Sequence, residues 1–531
     1  MSIGIVLLSQ PWNMVFSLGV LVALWWAWRV LQMAWISSQR LGRALRTQGL
    51  RGTTYRFPFG DLKEFWRMVS VARSKPMPLS HDITPCVAPL RGSLAYHNVI
   101  KEHGKISVTW FGPMPRVILN DPKLVREMLA NKHGHFRKHK FDNGIVRRLA
   151  NGLVSHDDEK WATHRKIINP AFRVEKLKKM LPAFVACCNE LVTRWEDHVG
   201  SDETKEIDVW PEFQNLTGDV ISRAAFGSSF SEGRRIFQIQ SEQAQNVVKM
   251  LNALYLPGFR FLPIELNRRV KSNVCEVETL LKGIIGKREK AMKEGNANNE
   301  DLLGVLMECN IAETKEAGST KPIMTMDDIM GELKLFYFAG MDTTAVLLTW
   351  TMVTLSMHPE WQDRAREEVL QVFGNNQPDF DGINQLKVVM AMIMYEVLRL
   401  YPPVIQFDRQ TYEEVELGGV RYPPGVILSL SIVFLHHDPE VWGEDADEFK
   451  PERFAEGISK AARNNSRAFF PFGWGPRICV GQNFALIEAK MALSKILQRF
   501  SFGLSPSYMH APFPVSTLQP DHGVHIMLKK L

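Results

Sequence analysis

The residues best suited to chemistry lie near the C-terminal end, in Phe472-Gly473-Trp474-Gly475-Pro476-Arg477-Ile478-Cys479-Val480-Gly481. Beyond them, apolar residues at Leu486, Ala489, Leu493, Ile496, Leu497 and Phe500 recur every three or four positions, which predicts a helix over 482–500 with one buried face. Cys479 therefore stands at the mouth of a helix, where free N–H groups and the positive end of the dipole favour a thiolate. Gly473, Gly475 and Gly481 allow tight turns and the close approach of a flat cofactor. Arg477 offers a cation to an anionic group at the edge of such a cofactor. A single thiolate with no second ligand nearby does not make a structural zinc site. It suits axial ligation of haem iron. The competing reading is a buried, inert cysteine.

A second chemical stretch sits mid-chain, in Ala339-Gly340-Met341-Asp342-Thr343-Thr344. It falls inside residues 327–357, which contain no proline and end at His358-Pro359. As a helix, these residues would run ~46 Å, enough to cross a large domain. Between 335 and 357 the only charge is Asp342. A second membrane span is the rival reading. Against it, a central Asp costs about 2.5–3.5 kcal/mol on insertion, and Tyr337, Thr343, Thr344, Thr349, Thr351 and Thr354 add polarity. A helix buried in a protein core fits better. Gly340 costs ~1 kcal/mol relative to Ala there and admits a flat ligand. Thr343 can bond back to the Ala339 carbonyl and loosen the turn. A hydroxyl and a carboxylate beside a loosened turn make a plausible site for dioxygen and a proton relay.

Around these two stretches the chain must supply a scaffold. Residues 106–119 alternate apolar and polar about Gly112-Pro113, a hairpin pattern. Asp121-Pro122 opens a helix, and helical periods follow at 124–129, 176–199, 213–225 and 274–293. Residues 138–155, 295–300 and 313–321 read as loops. Glu396 and Arg399 lie three apart in the apolar run 388–401, so both charges would be buried and must pair, with Arg453 a third member. His522 and His525 read as exposed or hydrogen-bonded tail residues.

The 531 residues carry a formal net charge of +7 and six cysteines without regular spacing, which fits a reducing compartment. No nucleic-acid motif accompanies the charge, so nucleic acid is not expected; an anionic membrane or an acidic partner is. Residues 1–28 are uncharged, and 15–28 are almost wholly apolar, ending in Trp25, Trp26 and Trp28. Counted on to Trp35, the run reaches the ~20 residues of a membrane span. A cleaved signal peptide fits poorly, for want of a basic start and a cleavage site. A buried N-terminal helix is the plainer alternative. Arg29, Arg40, Arg43, Arg46, Arg51 and Arg56 follow with no acidic residue before Asp61, which places the rest of the chain in the cytosol. The expected organisation is an anchor at 1–35, a basic linker and hinge at 36–60, and a catalytic domain at 61–531.

The phrase Phe-x-x-Gly-x-Arg-x-Cys-x-Gly closely resembles the haem-binding signature of the cytochrome P-450 family. The resemblance runs nearly the length of the chain. It implies a mainly α fold with small β-sheets behind one N-terminal transmembrane helix. It implies haem b with Cys479 on the iron, propionates bound by Trp161, Arg165, Arg409 and Arg477, and Asp342 and Thr343 at the acid and alcohol positions of the oxygen-activating motif. Glu396, Arg399 and Arg453 resemble a structural lock, while residues 404–407 and 513–518 would line the substrate pocket. The implied activity is insertion of one oxygen atom from O2 into a C–H bond. Electrons would come from an NADPH–cytochrome reductase at the endoplasmic reticulum membrane, with Arg165, Lys166 and Lys490 as candidate docking residues. Residues 48–56, 338–350 and 469–486 resemble the plant branch that includes secologanin synthase. The implied substrate is a largely apolar small molecule such as an iridoid, a gibberellin-type diterpenoid or a triterpenoid, with herbicides or fatty acids as the alternative. A reductase-independent haem-thiolate isomerase or dehydratase, and a haem-free membrane binding protein, are the remaining rivals. The first departs from both motifs in this family, and the second leaves the cysteine phrase unexplained.

Overall fold

The computed structural model describes residues 11–73, 77–84, 100–131, 134–138, 151–200, 204–227, 230–252, 265–295, 301–316, 318, 322–463 and 467–531. Residues 1–10 of the anchor and most of two expected loops, 139–150 and 296–300, lie outside the described residues. The architecture is mainly helical with small sheets, as expected.

The helix Pro11–Leu31 passes through a π-turn, Gln32–Ile36, into a second helix, Ser37–Thr47. The apolar stretch along it is 0% buried. Phe16, Leu18, Trp25 and Trp28 all lie open, a surface that calls for a lipid environment. The central helix Met326–Met357 is also long and apolar, but 78% of its apolar window is buried, so it is a core helix. Residues 36–60 do not form a free hinge. Ser37–Thr47 is helical, Leu45 is buried, and Ser38 Oγ donates to the Pro113 carbonyl at 2.7 Å. Arg51–Gly52 then pairs in parallel with Ser107 and Val108. The reason is apolar: the amphipathic turn carrying Leu45 has a hydrophobic hairpin to cover.

That hairpin, Ile106–Phe111 and Met114–Leu119, forms as expected and continues through Ile427–Ser431, Gln406–Thr411 and Phe136–Arg137 into a six-stranded sheet. A three-stranded sheet joins Phe500–Leu504, His525–Lys530 and Lys205–Asp208. Helix Pro122–Ala130 starts where Asp121 accepts from the N–H groups of Lys123 and Leu124, with Pro122 at its first position. Helix Leu302–Glu316 extends into the expected 313–321 loop; Thr314 Oγ1 donates back to the Asn310 carbonyl at 2.6 Å.

The central helix is the axis of the core. Its start is fixed by a reciprocal cap between Thr325 and Asp328. It packs against Val209–Phe226 on one side and against Val389–Leu400 and Gln482–Arg499 on others. Tyr337 and Trp350 on it are fully buried, each contributing on the order of 2–3 kcal/mol. The expected ion lock is present: Glu396 and Arg399 are 0% exposed and joined at 2.7 Å, and Arg453 Nε stands 3.4 Å from Glu396.

Candidate active site

Between the central helix and the cysteine loop lies a cavity of about 1450 Å³. Its walls include Ile221, Phe336, Ala339, Gly340, Thr343 and Leu347 above, and Phe472, Cys479, Gly481 and Phe484 below. The cysteine loop is held by a Cys479 N–H bond to the Phe472 carbonyl at 2.9 Å. Gly475 has φ +72°, and a Cβ there would lie 2.7 Å from the Leu129 carbonyl, so no larger residue fits. Helix Gln482–Arg499 follows directly, with Gly481 at its N-cap.

Cys479 opens onto the cavity. Burial pushes the thiol up, and the Gly481 N–H and Arg165, which lower it, only partly offset this. A cation at the sulfur is needed to hold the thiolate.

One flank of the cavity gathers positive charge. Arg477 donates to the His156 carbonyl at 2.8 Å and to Asp157 at 2.7 Å, and its guanidinium lies 4.6 Å from the Trp161 ring centroid. Arg409 is 4% exposed; burial and Arg477 hold it down to about 10. Lys138 faces the same flank, pushed well below its usual range by burial, then by Arg409 and Arg477. Three basic groups thus gather here, Lys138 and Arg409 near the carboxylates of Asp157 and Asp408, and Arg477 near those of Asp157 and Asp158. Such a cluster calls for an anionic guest. With a lone thiol on the cavity floor and apolar walls, the residues fit a flat, dianionic, iron-bearing group: haem. Arg165 lines the cavity and donates to the Ile478 carbonyl at 2.8 Å, beside the cysteine. Lys138 and Asp157 were not legible as site residues, since a lysine in a basic run and an aspartate before a helix are commonplace.

The two residues of the mid-helix motif part company. Thr343 lines the cavity and donates to the Ala339 carbonyl at 2.6 Å, as expected. The helix nevertheless stays α throughout Met326–Met357. Asp342 is 2% exposed and does not line the cavity. Its carboxylate accepts from Thr517 and, at 3.4 Å, from Ser516, on the turn between Pro512–Pro514 and Leu518–Pro520, and at 3.1 Å from Gln519 in the second of those strands. Burial raises its pKa against those bonds. Adjacent positions on a helix point about 100° apart, and here Thr343 turns to the cavity while Asp342 turns to the hairpin carrying Thr517 and Gln519. Gly340 has a second reason to be small: a Cβ would lie 2.9 Å from Ile221 on the neighbouring helix. Behind the cavity, Glu488 is fully buried and its pKa is pushed well above the usual carboxylate range by burial. The Thr344 hydroxyl faces it, but the contact falls short of a well-formed hydrogen bond.

Val404, Gln406, Phe407 and Val515 line the cavity, so both expected pocket segments reach it. Arg409 is not the one cation near them. Arg116 and Lys334 also line the wall, 3.7 Å from Asp408 and Glu278 respectively. Of the basic residues expected on a docking face, Lys166 is 64% exposed and pairs with Glu313. Arg165 is committed to the cysteine loop, and Lys490 donates to the Leu386 carbonyl at 2.5 Å.

The comparisons agree with this geometry. The cytochrome P450 family model matches residues 92–524. Cytochrome P450 CYP72A616 of Paris polyphylla is 57% identical over 521 residues, covering 97% of this chain and 99% of that protein. Cytochrome P450 72A397 of Kalopanax septemlobus is 51% identical, covering 95% and 96%. Cytochrome P450 72A13 of Arabidopsis thaliana is 49% identical, covering 98% and 99%. Members of this family are haem monooxygenases that draw electrons from a redox partner and carry a cysteine thiolate on the iron. The cysteine phrase, the cationic flank and the family match converge: this chain belongs to the cytochrome P450 family, in the plant branch that includes secologanin synthase.

Proposed function

We propose that this monooxygenase hydroxylates a terpenoid of iridoid, gibberellin-type or triterpenoid class, drawing electrons from an NADPH–cytochrome reductase. It is anchored in the endoplasmic reticulum membrane by its first helix, with the catalytic body in the cytosol. The observation carrying the substrate reading is the wall of the cavity over Cys479, where Phe111, Met114, Leu335, Phe336, Val404 and Val515 present apolar surface. The six-residue basic run between Arg29 and Arg56 supports the cytosolic placement.

In this reading Cys479 holds the haem iron, and Arg409, Arg477 and Lys138 meet the propionates, with Trp161 stacked on Arg477. Arg165 steadies the cysteine loop through the Ile478 carbonyl. Haem so held supplies dioxygen activation when bound. The chain supplies the rest. Apolar walls exclude water and orient the substrate. Thr343 offers the hydroxyl inside the cavity. Asp342, its proton favoured by burial, is a proton store one residue removed, and the hydrogen bonds donated by Thr517 and Gln519 favour the ionised form and so assist release of that proton. Exposed Lys166 remains the candidate contact for an acidic reductase surface.

The test is a panel of terpenoid acids, fatty acids and sulfonylurea-type herbicides incubated with enzyme, plant reductase and NADPH. Product from the terpenoids supports the reading. Turnover confined to the other two groups refutes it and leaves the monooxygenase class standing.

A further inference from the structure

His156, His164 and Asp328 come together from three elements at the edge of the cavity: the segment before the helix Asp158–Ile168, that helix itself, and the first turn of the central helix. One ligand atom from each lies within 4.8 Å of the other two. The two imidazole rings stand 4.7 Å apart, nearly perpendicular at 80°. His164 is 2% exposed, and its Nδ1 sits 2.6 Å from Glu332 Oε1. A carboxylate accepts, so Nδ1 donates to Glu332 and Nε2 faces away from it, toward Asp328. Glu332 itself is immobilised, since its other oxygen accepts from the Leu153 N–H at 3.0 Å. On the other side, His156 Nε2 is buried with no hydrogen-bond partner among the described residues. Asp328 divides its work. Oδ2 caps the central helix by accepting from Thr325, while Oδ1 faces His164 Nε2 at 3.9 Å and Lys160 at 2.6 Å.

A buried imidazole nitrogen without a partner among the described residues, a second imidazole oriented by a carboxylate behind it, and a carboxylate oxygen facing that second ring form an incomplete shell. Carboxylate–histidine pairs of this kind orient metal ligands. The geometry points to a site for one divalent zinc ion, held by His156 Nε2, His164 Nε2 and Asp328 Oδ1, with water in the fourth position. Two nitrogens and one oxygen exclude the oxygen-only preference of calcium and magnesium. Ligands bound at about 2.0–2.2 Å in a tetrahedron stand about 3.3 Å apart. The His164–Asp328 pair is 3.9 Å apart and needs to close by about 0.6 Å. Lys160 is displaced from Oδ1, which its 51% exposed side chain permits. The ion then joins the segment whose His156 carbonyl receives Arg477 to the start of the central helix. It fixes the cationic flank to the roof of the cavity. This inference is independent of the substrate reading.

The test uses the full-length, haem-loaded protein, stripped with chelator, dialysed against zinc chloride and assayed for zinc by elemental analysis. One zinc per chain is expected. His156→Ala should weaken binding by at least ~10-fold while leaving the haem absorption intact, and Glu332→Gln by ~10–100-fold. His156→Cys, which restores a zinc ligand, should recover retention. His198→Ala, remote from the cluster, should bind as wild type. Failure of the wild type to retain zinc, or retention unchanged in His156→Ala, overturns the site. If His156→Ala fails to fold, His156→Gln is measured in the same way and read by the same outcomes.

Discussion

Glu396→Gln should destabilise the protein by about 3–5 kcal/mol, the range for removing one partner of a buried ion pair. Arg399 is fully buried and spends its donors on five acceptors. Two are the Glu396 oxygens, at 2.8 and 2.7 Å. The others are the carbonyls of His436, Ala446 and Glu448, at 2.8, 2.5 and 3.1 Å. Glu396 also accepts the Lys450 N–H at 3.0 Å and faces Arg453. Glutamine keeps the shape but removes the charge and turns an amide N–H2 toward a cation. Arg453 retains Asp445 at 2.9 Å, whereas Arg399 is left with carbonyls alone. At ~2.1 cal/mol/K per residue, a body of about 470 residues has an unfolding entropy of ~1 kcal/mol/K, so Tm should fall by roughly 3–5 °C. The assay is thermal unfolding of haem-loaded protein, followed in parallel by far-UV circular dichroism and by the haem band. A Tm within 1 °C of wild type, at full haem content, would show that the lock contributes little and refute the reasoning.

The remaining predictions concern the cavity and the anchor. Thr343→Ala should keep haem but divert reducing equivalents to peroxide or water, because the cavity hydroxyl is lost; unchanged product per NADPH would contradict this. Glu488→Gln tests the buried carboxyl. Its folded pKa is raised, so the wild type holds its full stability from this group below the usual carboxylate range and loses it as pH rises toward the folded value. The variant cannot ionise, so its Tm relative to wild type should climb with pH, and a pH-independent difference would refute burial as the cause. Removing residues 1–35 should release the protein from microsomes with haem bound, because Ser37–Thr47 docks on the catalytic body by itself. Persistent resistance to alkaline carbonate would mean that another segment holds the membrane.

What the sequence made legible follows the range of the signal. The cysteine loop, the central helix and the Glu396–Arg399 pair rest on neighbours within a few residues, where periodicity and turn chemistry are informative. The docking of Ser37–Thr47 was hidden, because Ser38 meets its partner hairpin at Pro113, 75 residues away. So was the turning of Asp342 toward Thr517 and Gln519, from a hairpin over 170 residues downstream. The thiol's raised pKa depends on enclosure by the whole cavity, which no local spacing encodes. Lys138 and Asp157 become site residues only when Arg409 and Arg477 arrive beside them from distant segments.

The central claim is that Cys479 is the sulfur that holds the haem iron, and the reduced, carbonyl-bound absorption spectrum of the purified full-length chain tests it most directly. Wild type should give the long-wavelength thiolate-type band. Cys479→Ala should lose either the haem or that band, because Cys479 is the cysteine that lines the cavity among the described residues. A thiolate-type band that survives in Cys479→Ala would contradict the account.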